Sequence, residues 1–400
     1  MLSVAEALAI VLGKTGPLAA VTEELRSAKI GRVLAEDVCS DLDSPPFTKS
    51  LRDGYAVRLV DVPVGGATLQ VAGESPAGAT FDALLREGEA VRIFTGAPLP
   101  LNADAVAMQE DCVREGGHVR IPGGLKSGLH ILPQGAEHRS GDVVLSAGAT
   151  LGPQELGLLA SLGRVSASIH LKPRVAVLSS GSEIVETTVT PVGAQIRNSN
   201  GPMLLAQALR AGAEPVSLGI VKDDKRELAD RVRIGITTAD ITVVSGGVSV
   251  GDYDHLPHIV KNLGVETHFH YVSMKPGKPV LFGSHQGKLL FGLPGNPVSA
   301  FVCFELFVRP AIDRMLGNRL TALPWIDLPL DGGLSTTNDR PTLFPANLVV
   351  VNATLRVRPI AGMNSANLHS LTGADALIGV SAGTVQLTAG ENVSTLRLVR

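Results

Sequence analysis

Ser245-Gly246-Gly247-Val248-Ser249-Val250-Gly251 follows the apolar run Ile241-Thr242-Val243-Val244 and precedes Asp252-Tyr253-Asp254. Beyond it, Leu256, Ile259, Val260 and Leu263 fall at helical spacing, so the order reads buried strand, glycine-rich loop, helix. Adjacent glycines open backbone conformations closed to other residues and let the chain approach a ligand. Successive N–H groups in such a turn, beside a helix N-terminus, make a place for an anion. Taken alone, a glycine-rich turn is most often only a tight turn. Its surroundings decide the reading.

From Arg174 to about Gly317 strand and helix alternate. Val175-Ala176-Val177-Leu178 is a continuous apolar run of the kind that parallel strands buried on both faces show. A helix is expected over 201–210, with Asn200 as its cap and Gly212 just past its end. Val216 to Val221 is the next strand. Asp224-Lys225-Arg226-Glu227 has the form of a capping box ahead of Leu228, Val232 and Ile236 at helical spacing. Strands follow near Val265, Val280 and Leu289, and one long helix near 298–315. This is a doubly wound α/β domain. Ser179-Ser180-Gly181-Ser182-Glu183, Lys222-Asp223-Asp224 and residues 245–251 all come directly after strands. In a parallel sheet such loops share the C-terminal edge, where ligands bind. Lys275-Pro276-Gly277-Lys278-Pro279 and Leu293-Pro294-Gly295-Asn296-Pro297 flank further strands and are expected on the same rim. Oriented amides, two lysines and several carboxylates together suit a phosphorylated ligand with a divalent cation.

The flanking sequence has a different texture. Ser3 precedes Val4, Leu8, Val11 and Leu12 at helical spacing. Gly13-Lys14-Thr15 ends like a phosphate-binding P-loop, but Leu8 stands where its first glycine belongs, so Gly13 reads as a helix cap. After the Pro45-Pro46 hinge, short β runs broken by Gly, Pro and Asp continue to about Gly148. They include Asp53-Gly54-Tyr55-Ala56-Val57 and Thr95-Gly96-Ala97-Pro98. A helical segment, 153–162, leads into the linker Leu171-Lys172-Pro173. Past Gly317 short strands return at 325–330, 348–352 and 355–359.

The chain has 400 residues, too many for one ordinary core. Its formal charge of −3 argues against bulk attraction to nucleic acid or an anionic membrane. Cys39, Cys112 and Cys303 form no CxxC pair, so neither a zinc ribbon nor a disulfide framework is indicated. The opening residues lack the features of a signal peptide, and no apolar run reaches membrane-spanning length. A cytoplasmic location is expected. His255 and His258, at i, i+3 on one helix face with His268 and His270 nearby in sequence, read as part of a solvent-facing helix rather than a zinc site.

In order, Asp53 to Val57, Thr95 to Pro98, Ser245 to Gly251 with Asp254, Lys275 to Pro279 and Leu293 to Ser299 resemble the molybdopterin molybdenumtransferases, the MoeA type that also forms the E domain of gephyrin. The likeness covers nearly the whole chain. It implies a multi-domain α/β protein: a split N-terminal domain (1–45 with 146–172), a β-rich inserted domain (46–145), a molybdopterin-binding α/β domain (173–317) and a β-barrel-like domain (318–400). It implies a homodimer whose cleft combines the α/β domain of one subunit with the inserted domain of the other. The implied reaction inserts molybdate into adenylylated molybdopterin and releases AMP with help from Mg²⁺. Glu183, Asp223 and Asp254 match acidic cleft residues and are the expected metal-holding set. Lys275 and Lys278 match the cleft lysines, and Asp53 and Thr95 the facing residues. Ser245, Gly246, Gly247, Ser249, Gly251, Pro294, Gly295, Asn296, Pro297 and Ser365 form the expected binding rim. A molybdopterin adenylyltransferase and molybdoenzyme maturation factors are implied partners.

Some positions depart from the family pattern. Arg52 stands in place of Met, Glu137 in place of Asp, and Pro345 in place of an Arg. Ser182, in Gly181-Ser182-Glu183-Ile184, replaces a cleft carboxylate. Two other classes compete: an adenylyltransferase acting on molybdopterin, and a non-catalytic gephyrin-like scaffold. The first 170 or so residues and the C-terminal β segment argue against the former; the lysines argue against the latter.

Overall fold

The computed structural model describes residues 1–25, 30–78, 84–248, 255–319, 321, 324–360 and 365–398. Ser249, Gly251 and Asp254 therefore lie outside the described residues. Two compact units form: Met1–Glu36 with Gly148–Leu156 and Ser166–Arg400, and Asp37–Ala147 with Gly157–Val165.

The first unit contains a six-stranded mixed sheet. Its strands are β1 (Arg174–Ser180), β2 (Glu214–Val221), β3 (Ile241–Ser245), β4 (Glu266–Tyr271), β5 (Pro279–His285) and β6 (Lys288–Leu293), in the spatial order β2-β1-β3-β6-β5-β4. The first four in that order run parallel, and β5 alone is reversed, antiparallel to both of its neighbours, β6 and β4. Successive side chains along a strand face opposite sides. Accordingly Val175, Val177 and Val243 join one apolar cluster, while Ala176, Leu178 and Val244 join another. Both faces are covered, which is why every residue of β3 is buried. On one face packs α1 (Asn200–Arg210); on the other lie α2 (Lys225–Thr238) and α3 (Leu256–Asn262).

Several sequence expectations change in detail. The Val4–Gly13 helix does begin at a Ser3 cap, strengthened by Glu6 in a reciprocal box, but its C-cap is Lys14, not Gly13. Asp224 caps α2 by accepting from the Arg226 and Glu227 amides at 2.9 and 2.8 Å. The box is one-sided, because the Asp224 N–H is already committed to the Lys222 carbonyl. The long helix is interrupted: Pro297–Cys303 and Arg309–Met315 are α-helical and Phe304–Val308 between them is a π-turn. Pro310 has no N–H for the preceding turn, and the π-turn carries Glu305, fully buried against Arg210 and Arg309.

Farther along this unit, five antiparallel strands lie in the order Trp325–Pro329, Asn392–Arg397, Ala376–Val380, Thr342–Val351, Thr354–Pro359. The two outer strands meet: Leu330 bridges Val357, and the Asp331 N–H donates to the Val357 carbonyl at 2.8 Å. The sheet thus curls toward a barrel. A two-stranded ribbon, Leu334–Asn338 with Gly383–Leu387, accompanies it. The strand expected from Leu348 starts at Thr342 and runs through Pro345, which pairs with Leu377.

The second unit holds a six-stranded sheet, in the order Ala105–Met108, Gly54–Val57, Glu89–Ile93, Ala67–Ser75, His118–Ile121, Val113–Glu115. Among the described residues no helix is long and apolar enough to cross a membrane.

Candidate active site

The parallel strands β1, β2, β3 and β6 end at one edge of the sheet, so the loops at 181–183, 222–223, 246–248 and 294–297 emerge together. Lys275 and Lys278 reach that edge by another route, since their loop precedes β5. The hairpin between β5 and β6 turns on Gln286 and Gly287, at φ 49° and 79°. Two consecutive positive φ values mark the tight turn that suits twisted antiparallel strands. That reversal brings the start of β5 beside the end of β6.

A cavity of about 730 Å³ opens at this rim. Its walls include Glu183, Asp223, Ser245, Gly246, Gly247 and the segment Pro294 to Pro297. A second cavity of about 560 Å³ is lined by Lys275, Lys278, Ser299 and Ser365. Pro279 lines both, and Asn296 of the first donates to the Ser365 hydroxyl of the second at 3.1 Å. The rim therefore has two adjoining lobes: the first has carboxylates and glycines, the second lysines.

The backbone of the first lobe needs glycine at one position above all. Gly246 has φ 97°, and a methyl there would run into the Ser180 carbonyl oxygen. Its N–H donates to the Leu293 carbonyl at 3.0 Å, joining the ends of β3 and β6. Beyond it, the Val248 carbonyl is held at 2.8 Å by a ring nitrogen of His270.

Ser182, which stands where a carboxylate was expected, positions Asp223. Its N–H donates to Asp223 Oδ2 at 3.0 Å, and its hydroxyl accepts from the Asp223 N–H at 3.1 Å. This fixes the carboxylate and leaves Oδ1 for a ligand. Asp223 and the exposed Glu183 offer hard oxygens to one cavity. Mg²⁺ needs only one or two carboxylates beside phosphate oxygens and water, so the donor set fits that ion. Among the described residues no three acidic, His or Cys groups gather into a closed metal shell.

Two residues escape a reading by motif. The Asn200 amide does not cap α1; it points inward and donates to Ser245 Oγ at 2.8 Å and to the Gly295 carbonyl at 2.7 Å. Its Oδ1 is buried without a partner, as is the Ser180 hydroxyl, and both residues line the first cavity. The cap-like bond comes from Asn198, whose Oδ1 accepts from the Gly201 N–H at 2.9 Å. Two asparagines in Asn198-Ser199-Asn200, one more than a cap requires, were the available signal.

In the second unit, Asp53 precedes the strand Gly54–Val57, which pairs with Glu89–Ile93. That pairing sets Asp53 beside Thr95. Asp53 Oδ1 accepts from the Thr95 N–H at 2.7 Å and from its hydroxyl at 2.8 Å. These bonds, the backbone one first, hold the Asp53 carboxyl below the usual carboxylate range. The carboxylate is thus ionised at neutral pH. A depressed pKa contributes stability above the unfolded value and loses it as pH falls through the folded one. Thr95→Val, which removes the hydroxyl but keeps the N–H, is expected to raise the Asp53 titration midpoint observed by NMR; an unmoved midpoint would rule the hydroxyl out as a cause.

Comparison with known proteins agrees along the whole chain. Residues 2–163 match the MoeA N-terminal region (domain I and II), 176–314 a probable molybdopterin binding domain, and 327–398 the MoeA C-terminal region (domain IV). A molybdopterin molybdenumtransferase of Nostoc sp. is 35% identical over 377 residues, covering 92% of this chain and 86% of that protein. One from Staphylococcus aureus is 33% identical over 402 residues, covering 98% and 94%. The crystal structure of a molybdopterin biosynthesis MoeA protein from Pyrococcus horikoshii superposes with a TM-score of 0.84 at 28% identity, covering 99% of this chain and 100% of that one. The chain belongs to the MoeA-type molybdopterin molybdenumtransferase family.

Proposed function

We propose that this chain inserts molybdate into adenylylated molybdopterin, so that the dithiolene takes the metal and AMP is released. The observation that carries this reading is the pairing of two lobes on one rim, carboxylates and glycines in one, lysines in the other. The first lobe suits a nucleotide phosphate. Asp223, held by Ser182, and Glu183 would carry Mg²⁺ there; when bound, that ion supplies charge neutralisation at the phosphate oxygens. Gly246 lets the backbone come close to the ligand, and Asn200 keeps the ends of β3 and β6 in register beneath it. The second lobe suits a tetrahedral dianion. Lys275 and Lys278 serve as point charges for its oxygens, and Ser365 joins that lobe to Asn296. Asp254, Ser249 and Gly251 belong to the same proposed rim by their place in the sequence.

The proposed assembly is a homodimer, in which Asp53 and Thr95 of a second copy face the rim. The four-part domain division and a cytoplasmic location belong to this same reading. The test uses the purified full chain with Mg²⁺ and adenylylated molybdopterin. AMP release that requires molybdate is the expected result. Adenylylation of molybdopterin from ATP, without molybdate-dependent AMP release, would replace this reading with an adenylyltransferase.

A further inference from the structure

The lysine lobe has one more polar group in its wall. Asn338 ends the strand Leu334–Asn338, is only 6% exposed, and lines the same cavity as Lys275, Lys278 and Arg340. Its Oδ1 accepts from Thr336 Oγ1 at 3.1 Å, which assigns the two ends of the amide. The other end, Nδ2, is buried with no hydrogen-bond partner in the protein. An unpaired buried N–H is destabilising, so it calls for an explanation such as a ligand that completes it.

The chemistry of the lobe says which kind of ligand. Its described lining offers two ammonium groups, a guanidinium, hydroxyls and this amide, and no carboxylate. Arg340 is oriented from outside the lining by Asp339, at 2.8 Å. A wall of donors fits an anion whose oxygens all accept. Molybdate and tungstate carry no proton at neutral pH. Inorganic phosphate is partly protonated there, and its P–OH needs an acceptor that a carboxylate would supply.

We infer that Asn338 is a specificity-determining residue for the oxyanion: its Nδ2 donates to one oxygen of molybdate, and the lobe selects unprotonated tetrahedral oxyanions over phosphate. This rests on the reading of the lysine lobe as the oxyanion site.

Two substitutions in the full chain test it. Asn338→Asp keeps the acceptor for Thr336 and replaces only the unpaired nitrogen. Asn338→Ala removes the amide without adding charge. Steady-state AMP release with Mg²⁺ gives the KM for molybdate and for adenylylated molybdopterin separately. The molybdate KM is expected to rise about tenfold in Asn338→Ala and further in Asn338→Asp, as the loss of one charge-assisted hydrogen bond implies. The KM for adenylylated molybdopterin is expected to stay unchanged. Tungstate should compete with molybdate in the wild type, and phosphate should not. A merely structural role would lower the melting temperature and leave the molybdate KM and the tungstate preference unmoved, which would overturn the inference. If the wild type shows no molybdate-dependent AMP release, the functional reading fails by itself. Calorimetric titration of wild type and Asn338→Asp with tungstate then decides on Asn338: weaker binding by the variant supports it, and equal affinity overturns it.

Discussion

Lys275→Ala is expected to lower the rate of molybdate-dependent AMP release by about a hundredfold, the usual scale for removing one group that stabilises an oxyanion. The melting temperature should hold. The side chain is exposed, so its loss leaves no hole in a core. The loop is anchored by its main chain: the Lys275 N–H donates to the Pro341 carbonyl at 2.8 Å, and the Lys275 carbonyl accepts from the Leu343 N–H at 2.7 Å. Neither bond involves the ammonium group. Quantifying AMP by chromatography, with thermal unfolding of the same samples, separates chemistry from folding. A variant as fast as the wild type would remove Lys275 from the reaction, and AMP release absent from variant and wild type alike would favour a scaffold.

Gly246→Ala is the counterpart, expected to act on stability. The left-handed φ of 97° and the collision with the Ser180 carbonyl add, and together should cost about 3 kcal/mol or more. Relief requires the loop to lift from β1, which would weaken the Gly246–Leu293 hydrogen bond as well. Gly247→Ala is the control. At φ 68° its added methyl meets only the Ser180 hydroxyl, at an ordinary 3.8 Å. Backbone strain alone then applies, about 1 kcal/mol. Urea unfolding of the two variants measures the difference. Equal losses would mean that the Ser180 carbonyl yields easily and that the close approach is incidental.

The strands β1 and β3 were legible because strands buried on both faces are written as unbroken apolar runs; β2, at the edge of the sheet, is only partly buried and carries Ser217 and Gly219 among its apolar residues. The gathering of the loops after them followed from chain order alone. The lysine loop was harder. It precedes its strand, so its edge depended on a reversal encoded in Gln286-Gly287, a turn signal that the apolar pattern does not contain. The ribbon Leu334–Asn338 was missed because Ser335, Thr336 and Thr337 carry no apolar alternation, and Pro345 masked the start of its strand, since proline normally argues against one. Asn200 was legible as polar but not as inward-facing. A side chain that ties two strand ends together looks, in sequence, like one that caps a helix. Ser182 looked like a lost carboxylate; its two bonds to Asp223 exist only once β1 and β2 lie side by side. Asp53 and Thr95 are 42 residues apart, and only the register of Gly54 opposite Ile93 joins them.

The curled sheet at 325–397 has a consequence for synthesis. The strand Asn392–Arg397 comes last in its chain order yet sits between Trp325–Pro329 and Ala376–Val380. Until those residues leave the ribosome, both of its neighbours stand with a flank unzipped, and such flanks invite pairing with another chain. Premature termination just before Asn392 would therefore yield a sticky polypeptide rather than a slightly shorter enzyme.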